Sequence, residues 1–148
     1  MADDEILPPF EQSLAAILLG AKEAVIAPMR PKLREFDITE PQWRVLRVIN
    51  DQGETDATGL AQVGLLHAPS VTRILRELEA RGLIVRVADS NDRRRSTISL
   101  SAEGRHVVAG ISSHVRSVMK VYAQRFGAKR LDDLGRELRA LSEAIKDM

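Results

Sequence analysis

Hydroxyl and guanidinium side chains share one face of a short helix that is predicted to begin at Pro69. The apolar residues of this segment recur at i, i+3, i+4 and i+7 and therefore define an inward face. They are Val71, Ile74, Leu75 and Leu78. The opposite face carries Ser70, Thr72, Arg73 and Arg76. Because these side chains suit phosphate oxygens and base edges, the helix is predicted to contact duplex DNA.

A predicted hairpin with a cationic tip follows this helix. Gly82 can adopt the left-handed backbone that ends a helix, and strand-like runs follow at 84–87 and 96–100. The turn between them contains Arg93, Arg94 and Arg95. We expect these arginines to enter the minor groove or bind its phosphates, with Asp89 and Asp92 organising the turn. A helix for one groove and a basic finger for the next is typical of a winged helix-turn-helix.

A simpler interpretation exists for the arginines of the helix, which is that they belong to a solvated face. Arg73 can pair with Glu77, four residues later in the sequence. Arg76 can likewise pair with Glu79. The three arginines of the hairpin favour DNA contact over this alternative, because ion pairing along the helix does not account for them.

A second group of residues suits a small aromatic acid. Trp43 and Arg47 are four residues apart, so both side chains leave the same face of a predicted helix. An indole N–H beside a guanidinium suits a carboxylate, and the indole plane suits an aromatic ring. Glu40, one turn earlier, can accept a hydrogen bond from a phenol. The alternative is that Trp43 is ordinary core and Arg47 pairs with an acid such as Glu23. Arg44 leaves another face and is expected to be a surface or interdomain residue.

Helical spacing of apolar residues extends from about 9 to 36 and predicts a helical N-terminal segment. Pro28 and Pro31 each remove an amide donor, so we expect a kink or break beside them. Thr39 and Gln42 then form a capping box that opens a second helix. A short helix and a tight turn precede the arginine-bearing helix, which completes a helix-turn-helix.

Two further amphipathic helices are predicted, from Ser101 to about 126 and from about 131 to the end of the sequence. Their apolar residues alternate at spacings of three and four, and we expect them to build a dimer interface with the N-terminal helix. Burial within the chain is the alternative. The predicted fold class is mainly α with a small β wing. One chain of 148 residues thus combines a winged helix-turn-helix lobe at 39–101 with a helical dimerisation region at 1–38 and 102–148.

Composition and charge exclude several classes of protein. The net charge is only +1, yet residues 68–101 hold seven arginines against four acidic residues, which concentrates positive charge on the predicted DNA face. The absence of cysteine excludes disulfides and cysteine-ligated zinc, and His106 and His114 lack metal-ligand spacing. Without a catalytic motif, no enzyme activity, cofactor or metal is expected. Without a signal-type segment or a run of about 20 apolar residues, a cytoplasmic protein without membrane contact is expected.

The turn of the hairpin carries a distinctive spacing of acidic and basic residues. Asp89, Asp92 and Arg94 match the wing motif Asp-x-Arg-Asp-x-Arg, while Asn91 stands where the first arginine usually lies. On these residues, the flanking segments and the order of helices, the chain resembles the MarR family of bacterial transcription regulators. A narrower resemblance rests above all on the segment 39–47, Thr-Glu-Pro-Gln-Trp-Arg-Val-Leu-Arg. It points to the members that control catabolism of hydroxylated phenylacetates, in whose wing Asn91 is expected.

The narrower resemblance implies roles for individual residues. In the hydroxyphenylacetate-responsive relatives, the residues at the positions of Glu40, Trp43 and Arg47 contact the ligand. The resemblance also implies a contact from Ser13 of the partner subunit, and it places Met119 where the relatives have a tyrosine contact. The implied effector site therefore consists of Ser13, Glu40, Trp43, Arg47 and Met119.

The sequence thus predicts a homodimeric regulator that binds a pseudo-palindromic operator in double-stranded DNA. By resemblance, it represses an aromatic-acid catabolic operon and leaves DNA when a phenolic carboxylate binds. One alternative is a regulator of drug or stress response with a broader ligand range. A second alternative is a non-specific architectural DNA-binding protein. A third is an enzyme or binding protein for the aromatic acid itself.

Overall fold

The computed structural model describes residues 6–88, 91 and 96–148. The helices within these residues are α1 Leu14–Ile26, α2 Arg30–Glu35, α3 Glu40–Gln52, α4 Ala57–Val63, α5 Ala68–Ala80, α6 Ala102–Phe126 and α7 Ala128–Ile145. Two strands, β1 Ile84–Ala88 and β2 Ser96–Leu100, form an antiparallel pair between α5 and α6. The predicted class, mainly α with a small β wing, is confirmed.

Several helix boundaries follow local signals in the sequence. The Thr39 hydroxyl accepts a hydrogen bond from the Gln42 N–H, and the Gln42 side chain accepts one from the Thr39 N–H, which confirms the capping box. Gly82 has a φ of +71° and follows α5, as its place after the helix predicted. The arginine-bearing helix α5 begins at Ala68, one residue before the predicted start.

The N-terminal helical segment breaks beside its prolines. A 3-10 turn, Ala27–Met29, separates α1 from α2. Proline lacks the amide hydrogen that an α-helix interior uses, so the change of helix type falls beside Pro28, as predicted. Phe36 ends α2, and Asp37 with a φ of +55° turns the chain towards α3.

The wing is anchored to the helix-turn-helix through its second strand. In the β1–β2 pair, Ile84 lies opposite Leu100. The Thr55 backbone exchanges two hydrogen bonds with Ile98, at 3.0 Å from the Thr55 N–H and 2.7 Å to the Thr55 carbonyl. Ile98 is fully buried, so the base of the wing belongs to the same core as the helices.

One apolar core joins α3, α5, the two strands and the first half of α6. The arginine-bearing helix α5, which is the predicted recognition helix of the helix-turn-helix, contributes the four predicted residues Val71, Ile74, Leu75 and Leu78. The first half of α6 contributes Val107, Val108, Ile111 and Val115. The core therefore includes residues on both sides of residue 102, where the predicted winged helix-turn-helix lobe meets the predicted dimerisation region.

The outer helices differ from the core helices in burial. Neither α1 nor α7 has a buried residue within this chain. Large apolar side chains stay exposed on α1 and α7, namely Leu14, Ile17, Leu18, Leu19, Val25, Leu134, Leu138 and Ile145. Leu134, Leu138 and Ile145 belong to the three-and-four spacing of α7 that predicts an interface with a second copy. In the corresponding spacing of α6, Val108, Ile111 and Val115 are instead buried within this chain, as the alternative interpretation expected.

Polar contacts attach the second half of α6 to the N-terminal segment. The Tyr122 hydroxyl donates a hydrogen bond to the Val25 carbonyl. Nε2 of His114 lies 2.9 Å from the carbonyl oxygen of Pro28. Partial burial raises the pKa of the Tyr122 phenol, because a phenolate loses hydration there. The break between α1 and α2 is thereby held against α6.

Candidate DNA-binding face and effector site

The recognition helix α5 presents its polar face away from the core. Ser70 is half-buried, whereas Thr72, Arg73 and Arg76 are exposed. The Thr72 hydroxyl donates to the Ala68 carbonyl at 3.2 Å, an internal contact of the helix. These four side chains occupy the surface that sequence reasoning assigned to DNA, and their contacts with DNA remain a prediction.

Of the two ion pairs considered as alternatives to DNA contact, the structure contains the one between Arg73 and Glu77 and not the one between Arg76 and Glu79. Nε of Arg73 lies 3.9 Å from Oε1 of Glu77, a long and exposed pair. Glu79 instead pairs with Arg86 of β1 at 3.3 Å. Arg76 has no ion pair or hydrogen bond from its side chain among the residues that the structure describes. Arg76 is thus the arginine of α5 that is most available to an outside anion.

A buried amide positions the acid that neighbours Arg73. The Gln42 side chain is buried, and its Nε2 donates to Oε2 of Glu77 at 2.9 Å. The same Gln42 side chain caps α3, so the start of α3 is tied to the middle of α5. Sequence reasoning identified the capping role of Gln42 and missed this contact, which joins residues 35 positions apart.

The tip of the wing lies outside the described residues, apart from Asn91. Arg93, Arg94 and Arg95, together with Asp89 and Asp92, fall in the undescribed part. Their predicted contacts with the minor groove therefore stay predictions. The described base of the wing adds Arg86, whose ion pair with Glu79 ties β1 to the end of α5.

Three of the predicted effector residues follow one another along α3. Glu40 is half-buried at its first turn, Trp43 is 7% exposed, and Arg47 is exposed one turn later. Trp43 belongs to the apolar core cluster, as its alternative interpretation required. Among the described residues, neither the indole N–H of Trp43 nor the guanidinium of Arg47 has a hydrogen-bond partner. Both donors are therefore open to an added acceptor.

The acid suggested as a partner for Arg47 is engaged elsewhere. Glu23 of α1 forms a two-pronged pair with Arg30 of α2 across the 3-10 turn. The hydrogen bond from Arg30 lowers the pKa of the Glu23 carboxyl and correspondingly raises that of Arg30. The suggested Arg47–Glu23 pair is therefore not formed.

The remaining two predicted effector residues lie on other helices. Ser13 caps α1: its hydroxyl accepts from the Ala16 N–H at 3.1 Å and donates to the Phe10 carbonyl at 2.6 Å. Met119 is 53% exposed on α6, the helix that packs against α3. The described contacts within one chain do not join Ser13 to the three residues of α3, so a role for Ser13 requires a second copy.

A groove borders the effector residues at the start of α3. It has a volume of about 530 Å³. Its lining consists of Arg30, Leu33, Arg34, Asp37, Ile38, Thr39 and Glu40. Glu40 therefore faces open space on one side, while Trp43 and Arg47 lie beyond this groove further along the helix.

Arg44 makes contacts that the sequence did not reveal. Its Nη1 donates to the carbonyls of Gly64 and Leu65, at 3.0 and 3.2 Å, in the turn between α4 and α5. Its Nε lies 3.0 Å from Oε1 of Glu40. The expectation of a surface or interdomain residue missed this role, because the turn is about 20 residues away in sequence and only folding brings it to α3.

The described residues offer neither a metal site nor a membrane span. Within residues 6–88, 91 and 96–148, no group of three or more histidine, aspartate or glutamate side chains is placed to hold a metal ion. No helix in the same part of the chain is long and apolar enough to cross a membrane.

Comparison with known proteins places the chain in a family. The MarR family model matches residues 38–96, which run from α3 through the helix-turn-helix and the first strand of the wing. The transcriptional regulator FarR of Neisseria gonorrhoeae is 34% identical over 93% of this chain and 98% of its own length. The homoprotocatechuate degradative operon repressor of Escherichia coli is 31% identical over 82% of each chain.

A solved structure agrees with these relatives in fold. The crystal structure of NadR in complex with 4-hydroxyphenylacetate superposes with a TM-score of 0.79, at 32% identity, over 92% of this chain and 96% of that one. The sequence matches span nearly the whole chain, and the winged helix-turn-helix is shared. The chain belongs to the MarR family of DNA-binding transcriptional regulators.

Proposed function

We propose that this protein is a homodimeric repressor of an aromatic-acid catabolic operon and that a phenolic carboxylate releases it from DNA. The observation that carries the proposal is a pair of donors on α3 that have no hydrogen-bond partner among the residues described. The Trp43 indole N–H and the Arg47 guanidinium lie four residues apart on α3, and Glu40 comes one turn before Trp43. This arrangement suits a ligand with a carboxylate at one end and a hydroxyl at the other.

The relatives support this class of ligand. The Escherichia coli relative is named as a homoprotocatechuate degradative operon repressor, and the NadR structure contains 4-hydroxyphenylacetate. In our proposal, Arg47 and Trp43 bind the carboxylate and Glu40 accepts the phenol hydrogen. Ser13 of the partner subunit and Met119 complete the site. A methionine cannot donate a hydrogen bond, so contact at Met119 is apolar.

The dimer is part of the same proposal. Residues 1–38 and 102–148 supply the dimerisation region, with the exposed faces of α1 and α7 covered by a second copy. Residues 39–101 form the DNA-binding lobe, and its two copies read a pseudo-palindromic operator from successive major grooves. On α5 the contacts are Ser70, Thr72, Arg73 and Arg76. On the wing they are Arg93, Arg94 and Arg95.

Titration of the protein on its own upstream intergenic DNA tests the proposal. We expect 4-hydroxyphenylacetate to lower DNA affinity and phenylacetate, which lacks the hydroxyl, to act more weakly. Arg47→Ala is expected to weaken effector binding roughly 10- to 100-fold, because a hydrogen bond to a charged group contributes about 1.5–3 kcal/mol. Operator binding without effector should be retained.

A variant on the same helix serves as the matched control. Asn50 is exposed one turn after Arg47, and Asn50→Ala should leave the response to effector unchanged. If tight and specific DNA binding persists while no phenolic acid alters it, the family assignment stands and the proposed effector is wrong. If Asn50→Ala and Arg47→Ala weaken the response equally, the site is not at Arg47.

A further inference from the structure

Arg44 touches two parts of the molecule that the proposed mechanism must connect. On one side, its Nε lies 3.0 Å from Oε1 of Glu40. On the other, its Nη1 donates to the carbonyls of Gly64 and Leu65, which precede the recognition helix α5. One guanidinium therefore spans from the proposed effector site to the turn that sets the start of α5.

The turn that Arg44 contacts has an unusual backbone conformation. Leu65 has a φ of +54°, a left-handed conformation that costs free energy for a residue with a branched side chain. The Leu65 side chain is 83% exposed, so apolar packing does not hold it in place. A hydrogen bond from the Leu66 N–H to the Ala61 carbonyl closes the turn from within. The two hydrogen bonds from Arg44 tie this turn to α3.

The contact between Glu40 and Arg44 is an ion pair with an incomplete hydrogen bond. Nε of Arg44 is buried and has no hydrogen-bond partner in the described part of the chain, although Glu40 lies at ion-pair distance. A donor buried without a partner is costly, so a small movement of the Glu40 carboxylate changes the energy of the pair. Glu40 also lines the open groove, where a ligand can reach its carboxylate.

We propose that Arg44 is a positioning residue that couples the effector site to the recognition helix. The inference rests on the proposed function. A phenol that donates to Glu40 competes with Arg44 for the same carboxylate and draws it away from the guanidinium. Arg44 then holds the Gly64–Leu65 carbonyls less firmly, and α5 is freer to leave its DNA-bound position. The effector shifts the equilibrium because it binds better when Glu40 is released.

Arg81 provides a matched control in the same lobe. Its guanidinium also donates to two backbone carbonyls, those of Phe36 and Asp37, and it has no contact with Glu40 in the described structure. Loss of either arginine removes a clamp on the backbone. Only loss of Arg44 removes the ion pair with Glu40.

The test measures DNA affinity with and without saturating 4-hydroxyphenylacetate, and the ratio of the two affinities is the coupling factor. Allosteric coupling factors are typically about 5- to 150-fold, and the wild type is expected in this range. Arg44→Gln should bring the factor close to one, while effector affinity for the free protein is unchanged or tighter. Arg44→Lys, which retains charge and a donor, should restore part of the factor. Arg81→Gln should lower stability and keep the wild-type factor.

Two results would overturn the inference: a wild-type coupling factor in Arg44→Gln, or an equal loss of coupling in Arg81→Gln. If no phenolic acid acts on the wild type, the proposed function fails, and a double-mutant cycle without effector still tests the link. Glu40→Gln and Arg44→Gln should then affect DNA affinity non-additively, because the two side chains interact. Additive effects would show that Glu40 does not act through Arg44.

Discussion

The recognition helix α5 and the last helix α7 are both amphipathic, yet they differ in where their apolar faces lie. Four apolar residues of α5 are buried in the core, whereas α7 buries none within this chain. The same helical spacing thus produces an internal face in one case and an uncovered face in the other. The comparison shows that the apolar face of α5 is covered within one copy of the chain, whereas the apolar face of α7 is not.

The largest expected effect comes from breaking the uncovered face. Leu134 and Leu138 are exposed on α7, and the double substitution Leu134→Asp/Leu138→Asp should place charge in the proposed dimer interface. Because linking two binding modules raises affinity by about 10²- to 10⁴-fold, operator affinity should fall by a comparable factor. Sedimentation velocity would measure the loss of the dimer, and DNA titration would measure the loss of operator affinity. Glu137→Ala, on the same helix, is the control, and an intact dimer in the double variant would contradict the comparison.

A pair of leucine truncations tests the comparison through stability. Leu46 of α3 is 0% exposed and Leu138 of α7 is 37% exposed. Leu46→Ala should lower the free energy of unfolding by about 2–5 kcal/mol, because it leaves a cavity in the core. Leu138→Ala should lower it only through the dimer, so its effect should depend on protein concentration. Urea denaturation at two protein concentrations distinguishes these cases. If Leu46→Ala lowered the free energy of unfolding as little as a surface substitution does, the assignment of Leu46 to the core would be wrong.

A pair of arginine substitutions compares the polar faces of the same two regions. Arg76 of α5 is exposed without a partner among the described residues, and Arg139 lies exposed on α7. If Arg76 contacts a phosphate, Arg76→Ala should weaken DNA binding and reduce the slope of log affinity against log salt concentration by about one. If Arg76 contacts a base, the substitution should cost about 1–3 kcal/mol of binding free energy and relax specificity at one position of the operator. Arg139→Ala should alter neither quantity. Equal salt slopes in the two variants would remove Arg76 from the DNA-binding face.

The smallest expected effect concerns the exposed ion pair between Glu23 of α1 and Arg30 of α2. The hydrogen bond from Arg30 lowers the pKa of the Glu23 carboxyl below the ordinary value of 4.5, so folding favours the ionised carboxyl. The stabilisation is therefore present above pH 4.5 and is lost as the pH falls through the lowered pKa. Glu23→Gln should reduce Tm slightly at neutral pH and leave it unchanged in acid. If Glu23→Gln changed Tm more in acid than at neutral pH, the ionised Glu23 carboxyl would not be the form that stabilises the fold.

Much of the fold followed from short-range signals. The capping box of Thr39 and Gln42, the break beside Pro28 and the stop at Gly82 each depend on a few neighbouring residues, and the structure has all three. The polar face of α5 was equally readable, because helical spacing fixes which side chains share a face. Contacts between distant segments were not readable. The links from Gln42 to Glu77 and from Arg44 to the turn before α5 arise only when the helices pack.

Trp43 marks the limit of reasoning from sequence at the effector site. Its spacing from Arg47 was visible, but spacing does not tell whether an indole is buried. The structure places Trp43 in the core, and its N–H has no partner in the described ranges of the chain. The sequence by itself determined the helices, their caps and the cationic face, because hydrogen bonding and side-chain direction along a helix are local. Only the tertiary structure decided which apolar faces are covered and which polar groups meet, because burial depends on elements that are far apart in the chain.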